Sequence, residues 1–462
     1  MKAYHAALLG LCLATFSRVL EVAFEFPAVV NFLHFPVICG LAAYALKHTR
    51  RFNIPLLSAL AALLLTVVLS AVLSGAGLPN VVLDYPLVAE PFLLILALTN
   101  AGYTRRDVRS LGLGLLLLGL IQIPFVFYQW YMTRHTGDPD LIKGTMLDMG
   151  AGHHVVGAIV LVCGIHLLYN FRLRPFWLKY LLTSALVIIP VISDAKQVLL
   201  AFILSYALLA LTKITKPATF LRYAAISLSL VALVHLAVET YYTDSYVNDL
   251  DFMSYGISDK FSAFDVIDSY LTSPVRWLFG AGPGHTIGRL GLMMSDYWDT
   301  LEPLGATKTP ITDEVWKQSN WAAEFSSIFT PIFSWMGVLG DLGVVGLLLY
   351  FYILFFVYRR YCLDDVSRLL LLSIFVLGFI FSWSEEPNYM LYVSAVIVHR
   401  RLDHGVKRAG GARRESAVEK LSEAAMRYAL SDEASPSSAD VFKGGFAIIE
   451  PNRREGPDER RT

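Results

Sequence analysis

Apolar residues fill long, nearly uninterrupted blocks over the first 240 residues and again from about 330 to 400, with charged residues held to short gaps. A helix needs about 20 apolar residues to cross the hydrocarbon of a bilayer. On that measure spans are predicted near 5–24, 26–46, 54–75, 81–99, 110–131, 151–169, 177–193, 196–212, 219–238, 330–357, 366–383 and 387–400. The fold class that follows is all-α and polytopic, with about 12 transmembrane helices. Four regions are expected: helices 1–9 over 1–238, a loop domain over 239–329, helices 10–12 over 330–400, and a tail over 401–462.

Basic residues set the sidedness, because short cytoplasmic loops carry an excess of Lys and Arg. Lys47, Arg50 and Arg51 follow the second block, Arg105, Arg106 and Arg109 the fourth, Arg172 and Arg174 the sixth. Lys213 and Lys216 follow the eighth, Arg359 and Arg360 the tenth, and Arg400, Arg401, Lys407 and Arg408 open the tail. The odd-numbered gaps are neutral or acidic, with Asp84 and the Glu385-Glu386 pair among them. Both termini are thereby expected in the cytoplasm and residues 239–329 outside.

Composition agrees: 55% of the 462 residues are hydrophobic and only 16% charged, where a soluble domain carries about a quarter. The formal net charge is zero, which argues against a nucleic-acid partner. The four cysteines have no metal spacing and read as core residues. The first apolar run lacks a small-residue cleavage site, so a cleaved signal peptide is not expected.

The long loop is acidic in its first third (Asp244, Asp249, Asp251, Asp259, Asp265, Asp268) and rich in aromatics such as Tyr255, Trp277, Tyr297, Trp298, Trp316 and Trp321. That mixture predicts a partly helical, folded cap against the membrane. Residues 414–430 have the pattern of an amphipathic helix, and the rest of the tail reads as largely disordered.

Four stretches carry candidate chemistry. In Arg276-Trp277-Leu278-Phe279-Gly280-Ala281-Gly282-Pro283-Gly284-His285, three glycines allow a tight fold that turns amides toward an anion, and Arg276 adds a permanently charged fork. A plain surface turn is the competing reading. Lys143-Gly144-Thr145 and Gly152-His153-His154 stand before the sixth block, where hydrogen bonding to substrate outweighs metal binding. Lys196 follows Ser193-Asp194 at a tight outer turn, to snorkel, to pair with Asp194 or to hold a phosphate. In the tenth block, Gly337, Gly340, Gly343 and Gly346 form a small-residue face for close packing. Asp341 among them should face the protein interior, where a hydrogen bond that pins neighbouring helices competes with a catalytic role.

Taken in order, the GT…GHH stretch, the basic residue at Lys196, the R-W-L-F-G-A-G-P-G run at 276–284 and the G-D-L-G-V-V-G helix at 340–346 resemble the O-antigen ligase and O-antigen (polysaccharide) polymerase superfamily of bacterial membrane glycosyltransferases. The similarity covers roughly 140–350. It implies a metal-independent, cofactor-free transfer of glycan from an undecaprenyl-pyrophosphate donor to a glycan acceptor, at the outer face of the inner membrane. A chain-length regulator and a flippase are the partners it implies, beside the lipid bilayer. On this reading Arg276 is catalytic, with Lys196, His154 and the amides of Gly280, Gly282 and Gly284 binding substrate. His285, Glu324 and His154 are candidates for orienting or deprotonating the acceptor. Two departures from the family pattern stand out. Lys196 replaces the usual arginine, and 326–333 (S-S-I-F-T-P-I-F) lacks the His-Asn pair many ligases carry.

Ligation of finished glycan to a lipid or protein acceptor is the nearest alternative. A transporter or a non-catalytic assembly component is the alternative of another class, disfavoured by the lack of internal repeats and of charges paired through several spans.

Overall fold

The computed structural model describes residues 2–48, 53–136, 138–171, 173–241, 258, 261–325 and 333–430, without the side chains of 233–241, 318–325 and most of 408–430. Among these there is helix and turn but no strand. The helices are α1 Ala3–Phe24, α2 His34–His48, α3 Ile54–Ser74, α4 Leu78–Asn100, α5 Arg105–Leu120, α6 Gln122–Thr133, α7 Gly152–Asn170, α8 Phe176–Ile192, α9 Lys196–Leu211 and α10 Pro217–Tyr241. They continue with α11 Ala263–Tyr270, α12 Pro274–Phe279, α13 Arg289–Leu301, α14 Pro310–Phe325, α15 Ser334–Arg360, α16 Asp365–Leu377 and α17 Pro387–Leu430. One compact unit runs to Asp403; what is described of the second, 404–462, is the helical stretch that ends at Leu430.

Local chemistry sets the helix ends. Asn53 caps α3 by accepting the Leu56 amide, and Gly75 closes it in the left-handed conformation at φ 74°. Thr104 and Asp107 form a reciprocal capping box at the start of α5. Asp364 caps α16 through the Ser367 amide.

Large apolar side chains point outward: Leu65, Val72 and Leu73 on α3, Phe176 and Trp177 on α8, Leu348 and Phe355 on α15. A water-exposed protein does not tolerate so much contiguous apolar surface, and lipid does. Among the described residues, seven helical stretches are long and apolar enough to cross a membrane: Ala3–Phe24, Ala28–His48, Ile54–Ser74, Leu78–Asn100, Arg105–Thr133, Gly152–Asn170 and Ser334–Arg360. The chain is thus a polytopic, all-helical membrane protein. Two predicted spans form shorter apolar helices (Phe176–Ile192 and Lys196–Leu211). Three further helices differ from the predicted bounds. The fifth span changes helix at Ile121, three residues before Pro124. The eleventh ends after 13 residues. The last helix continues well beyond 400.

The two ends of the bundle differ in chemistry. At one, Lys2 pairs with Asp107 at 2.6 Å, Lys213 with Asp365 at 2.5 Å, and Arg400 bonds Asp364 at 2.9 Å and Asn170 at 2.8 Å. At the other lie the starts of α4 and α15, the 280–288 loop and the Trp383–Glu385 turn. That end holds the candidate site.

Candidate functional site

The two glycine-rich stretches meet there. α15 is broken at Gly343, whose backbone adopts φ 70°, ψ −172°, and the loop after α12 packs into the break. The Gly340 carbonyl accepts the Ala281 amide at 2.7 Å, and the Asp341 carbonyl accepts Gly282 N–H at 3.2 Å and the Ser70 hydroxyl at 2.6 Å. The Asp341 carboxylate takes Gly284 N–H at 3.1 Å, Thr286 N–H at 2.9 Å and the Thr286 hydroxyl at 2.5 Å. Backbone contact explains the glycines: a Cβ on Gly280 would stand 2.3 Å from the Asp341 carbonyl oxygen, and one on Gly343 2.3 Å from that of Leu278.

Asp341 is buried, as expected of a carboxylate in that helix. What it pins is a loop rather than a neighbouring helix. The amides expected to cradle an anion are engaged within the protein: Gly280 N–H with the Arg276 carbonyl at 2.7 Å, Gly282 and Gly284 with Asp341. The tight turn is real; its N–H groups point at the protein.

His285 is buried in the same loop. Its Nδ1 lies 3.0 Å from the Ala281 carbonyl and its Nε2 2.8 Å from Thr307 Oγ1. A carbonyl only accepts, so Nδ1 carries the hydrogen, and Nε2 accepts from the Thr307 hydroxyl, which itself receives Gly77 N–H at 2.9 Å. Burial pushes the imidazole below its ordinary pKa, in keeping with a neutral ring. Asn80 completes the tie, donating to the Pro283 and Thr307 carbonyls at 2.9 and 3.0 Å. With both ring nitrogens occupied, His285 holds the loop against the start of α4.

Arg276 is exposed on α12, its guanidinium 3.3 Å from the Tyr270 carbonyl, beside exposed Val275, Trp277 and Leu278. Lys196 begins α9 and pairs with Asp194 at 3.0 Å, and His153 Nε2 lies 3.4 Å from Asp140 Oδ1. Lys143 and Lys196 are close enough to Asp140 to counter the burial that raises its pKa. His154 is buried, its ring tilted against those of His153 and Phe381, with centroids 3.9 and 4.9 Å apart. Phe381 stacks on Trp383 in turn, at 5.1 Å. That ring chain links the histidine pair to the Trp383–Glu385 turn, and so to the end of the bundle that holds the glycine loop. Glu324 lies in α14, but its side chain is outside the described residues, as are Asp244, Asp249, Asp251, Asp259, Tyr255 and 326–332.

The sequence reading missed a group beneath the loop. Arg289, at the start of α13, gives its N–H to Glu385 and its guanidinium to Glu386, both at 2.7 Å. Asp84, expected in a gap between spans, is buried inside α4 within electrostatic reach of Asp341 and Glu385. Among the described residues no three His, Cys, Asp or Glu side chains are placed to hold one metal ion.

No protein-family model matches the chain, and no curated protein matches it.

Proposed function

We propose that the chain is a membrane glycosyltransferase that polymerises oligosaccharide units carried on undecaprenyl pyrophosphate, or passes them to another acceptor, at the outer face of the bacterial inner membrane. On this reading twelve helices cross the bilayer, both termini are cytoplasmic, and 239–329 lie outside. The observation that carries it is the union of 276–284 with 340–346, the two stretches on which the family resemblance chiefly rests, through Asp341. Two glycine runs that bond each other over so long a separation support reading them as parts of one site. Arg276 stays exposed beside an apolar strip, where a lipid-borne pyrophosphate can reach it. Its guanidinium and the Lys196 ammonium would stabilise charge building on the leaving pyrophosphate. His153 and Lys196 both stand by Asp140; with His285 committed to the loop, His154 and Glu324 remain the sequence candidates to meet an acceptor.

The test is a gel of surface glycan from cells lacking the protein, complemented with wild type or Arg276→Ala. Collapse of the ladder to single repeat units in both the null and the variant supports polymerisation through Arg276. Full-length chains left on the lipid carrier point to ligation. A wild-type ladder from Arg276→Ala sinks the phosphate clamp.

One observation favours a transporter as the second reading. His34 and Glu90 form a buried pair between α2 and α4, with Nδ1 2.9 Å from Oε1, and intramembrane ionisable groups often mark ion paths. Substrate flux into vesicles without any change in glycan length would support it.

A further inference from the structure

Asp84, Asp341 and Glu385 come from α4, α15 and the Trp383–Glu385 turn, and each is 3% exposed. Around them stand Arg289 from α13, Glu386 beside Glu385, His285 in the loop, and Tyr350 from α15, whose hydroxyl donates to the Ser384 carbonyl at 2.9 Å. The charges do not balance. Arg289 is the cation bonded to this group, and its guanidinium is taken by Glu386. Burial keeps His285 neutral, against the pull of its bonds to Ala281 and Thr307. Asp341 is served by neutral donors from the loop, and Glu385 receives the Arg289 amide. Asp84 has no such help: its Oδ2 is buried without a hydrogen-bond partner. An isolated ionised carboxylate out of water costs so much that it takes up a proton instead.

We propose that Asp84 and its two carboxylate neighbours form a buried proton-binding site, in which Asp84 carries an exchangeable proton that lets the three pack beneath the glycine loop. A proton is the occupant the unpartnered Asp84 oxygen calls for, since among the described residues no three His, Cys, Asp or Glu side chains are placed to share one metal ion. A second carboxyl of the same group shares the behaviour: burial, with the Asp341 charge adding to it, pushes Glu385 up to about 8 against the bond from Arg289. Raising the pH through that range puts negative charges beside one another under the loop. The proposal stands on this geometry whichever functional reading holds.

The experiment is infrared spectroscopy and thermal melting of the full chain in lipid nanodiscs, as wild type, Asp84→Asn and Glu385→Gln, across pH and in sodium or choline chloride. The expected result is a protonated-carboxyl band in wild type that fades as pH rises and loses a component in Asp84→Asn. That variant should melt at least as high as wild type, because the neutral amide imitates the protonated acid. An identical band in wild type and Asp84→Asn overturns the proposal. So does melting that follows sodium at fixed pH, which would mean a metal cation fills the site. An Asp84→Asn chain that fails to fold while Glu385→Gln folds also overturns it, since a neutral Asp84 is what the proposal requires.

Discussion

Thr286 gives both its backbone N–H and its hydroxyl to one oxygen of Asp341, at 2.9 and 2.5 Å. The second oxygen takes the Gly284 amide, so the charge is spread over three donors from a single loop. Hydrogen bonds to a charged group are worth about 1.5–3 kcal/mol each, and leaving such donors buried and unpaired costs as much again. This carboxylate is therefore a main tie of the 280–288 segment to α15, beside the backbone bonds from Ala281 and Gly282.

Asp341→Ala should lower the melting temperature and expose the loop, with a loss of about 3–5 kcal/mol from the stranded donors. Asp341→Asn should cost less, because the amide keeps one acceptor, yet its NH2 group meets a loop N–H. Limited proteolysis within 280–288 reads both. Equal resistance in wild type and Asp341→Ala would contradict the assigned lock.

Gly343→Ala and Gly280→Ala should each destabilise by more than the ~1 kcal/mol of ordinary left-handed strain, since the new Cβ also meets a backbone carbonyl at 2.3 Å. Gly102→Ala is the control: its Cβ would meet nothing within 4 Å, and its melting point should not fall. Parallel melting curves of the three in detergent check the ranking.

His285 makes a prediction in pH. Its folded pKa lies below the free value of 6.5, so the folded chain binds fewer protons there than the unfolded one. The stability from the neutral ring is full above that value and lost as pH falls below it. Thermal unfolding between pH 7 and 5 should show the loss in wild type, and His285→Gln should be less stable at pH 7 but flatter across the range. A wild-type profile no steeper than the variant's would contradict the neutral assignment.

Arg276→Ala should insert and melt as wild type does, within about 0.5 kcal/mol, because the side chain is exposed and its contact is one carbonyl. Matched melting curves beside the glycan gel separate a lost chemical role from a lost fold.

The helical plan was legible because period and length are local properties: a run such as 54–75 reports its environment without help from the rest of the chain. The ends were legible where the cap was local too, as with Asn53 and Gly75 around α3. The lock between 280–286 and 341 was half legible. Each stretch announced itself by its glycines, but what the loop amides bond depends on a residue 55 positions away in the case of Thr286. Asp84 and Glu385 pass for loop charges in the sequence, since an isolated Asp near the start of an apolar run looks interfacial until the third dimension buries it. The one available clue was that Asp84 lies six residues into a helix opened by Gly77 and Pro79.

The break at Gly343 has a bearing on ancestry and engineering alike. The Gly340 and Asp341 carbonyls, turned away from their own helix, are completed by Ala281 and Gly282. A buried carbonyl left unmet is costly, so neither stretch is viable alone. Residues 280–284 and 340–343 are one heritable module in two pieces: drift in either should be answered in the other, and a chimera that swaps one half should misassemble until its counterpart travels with it.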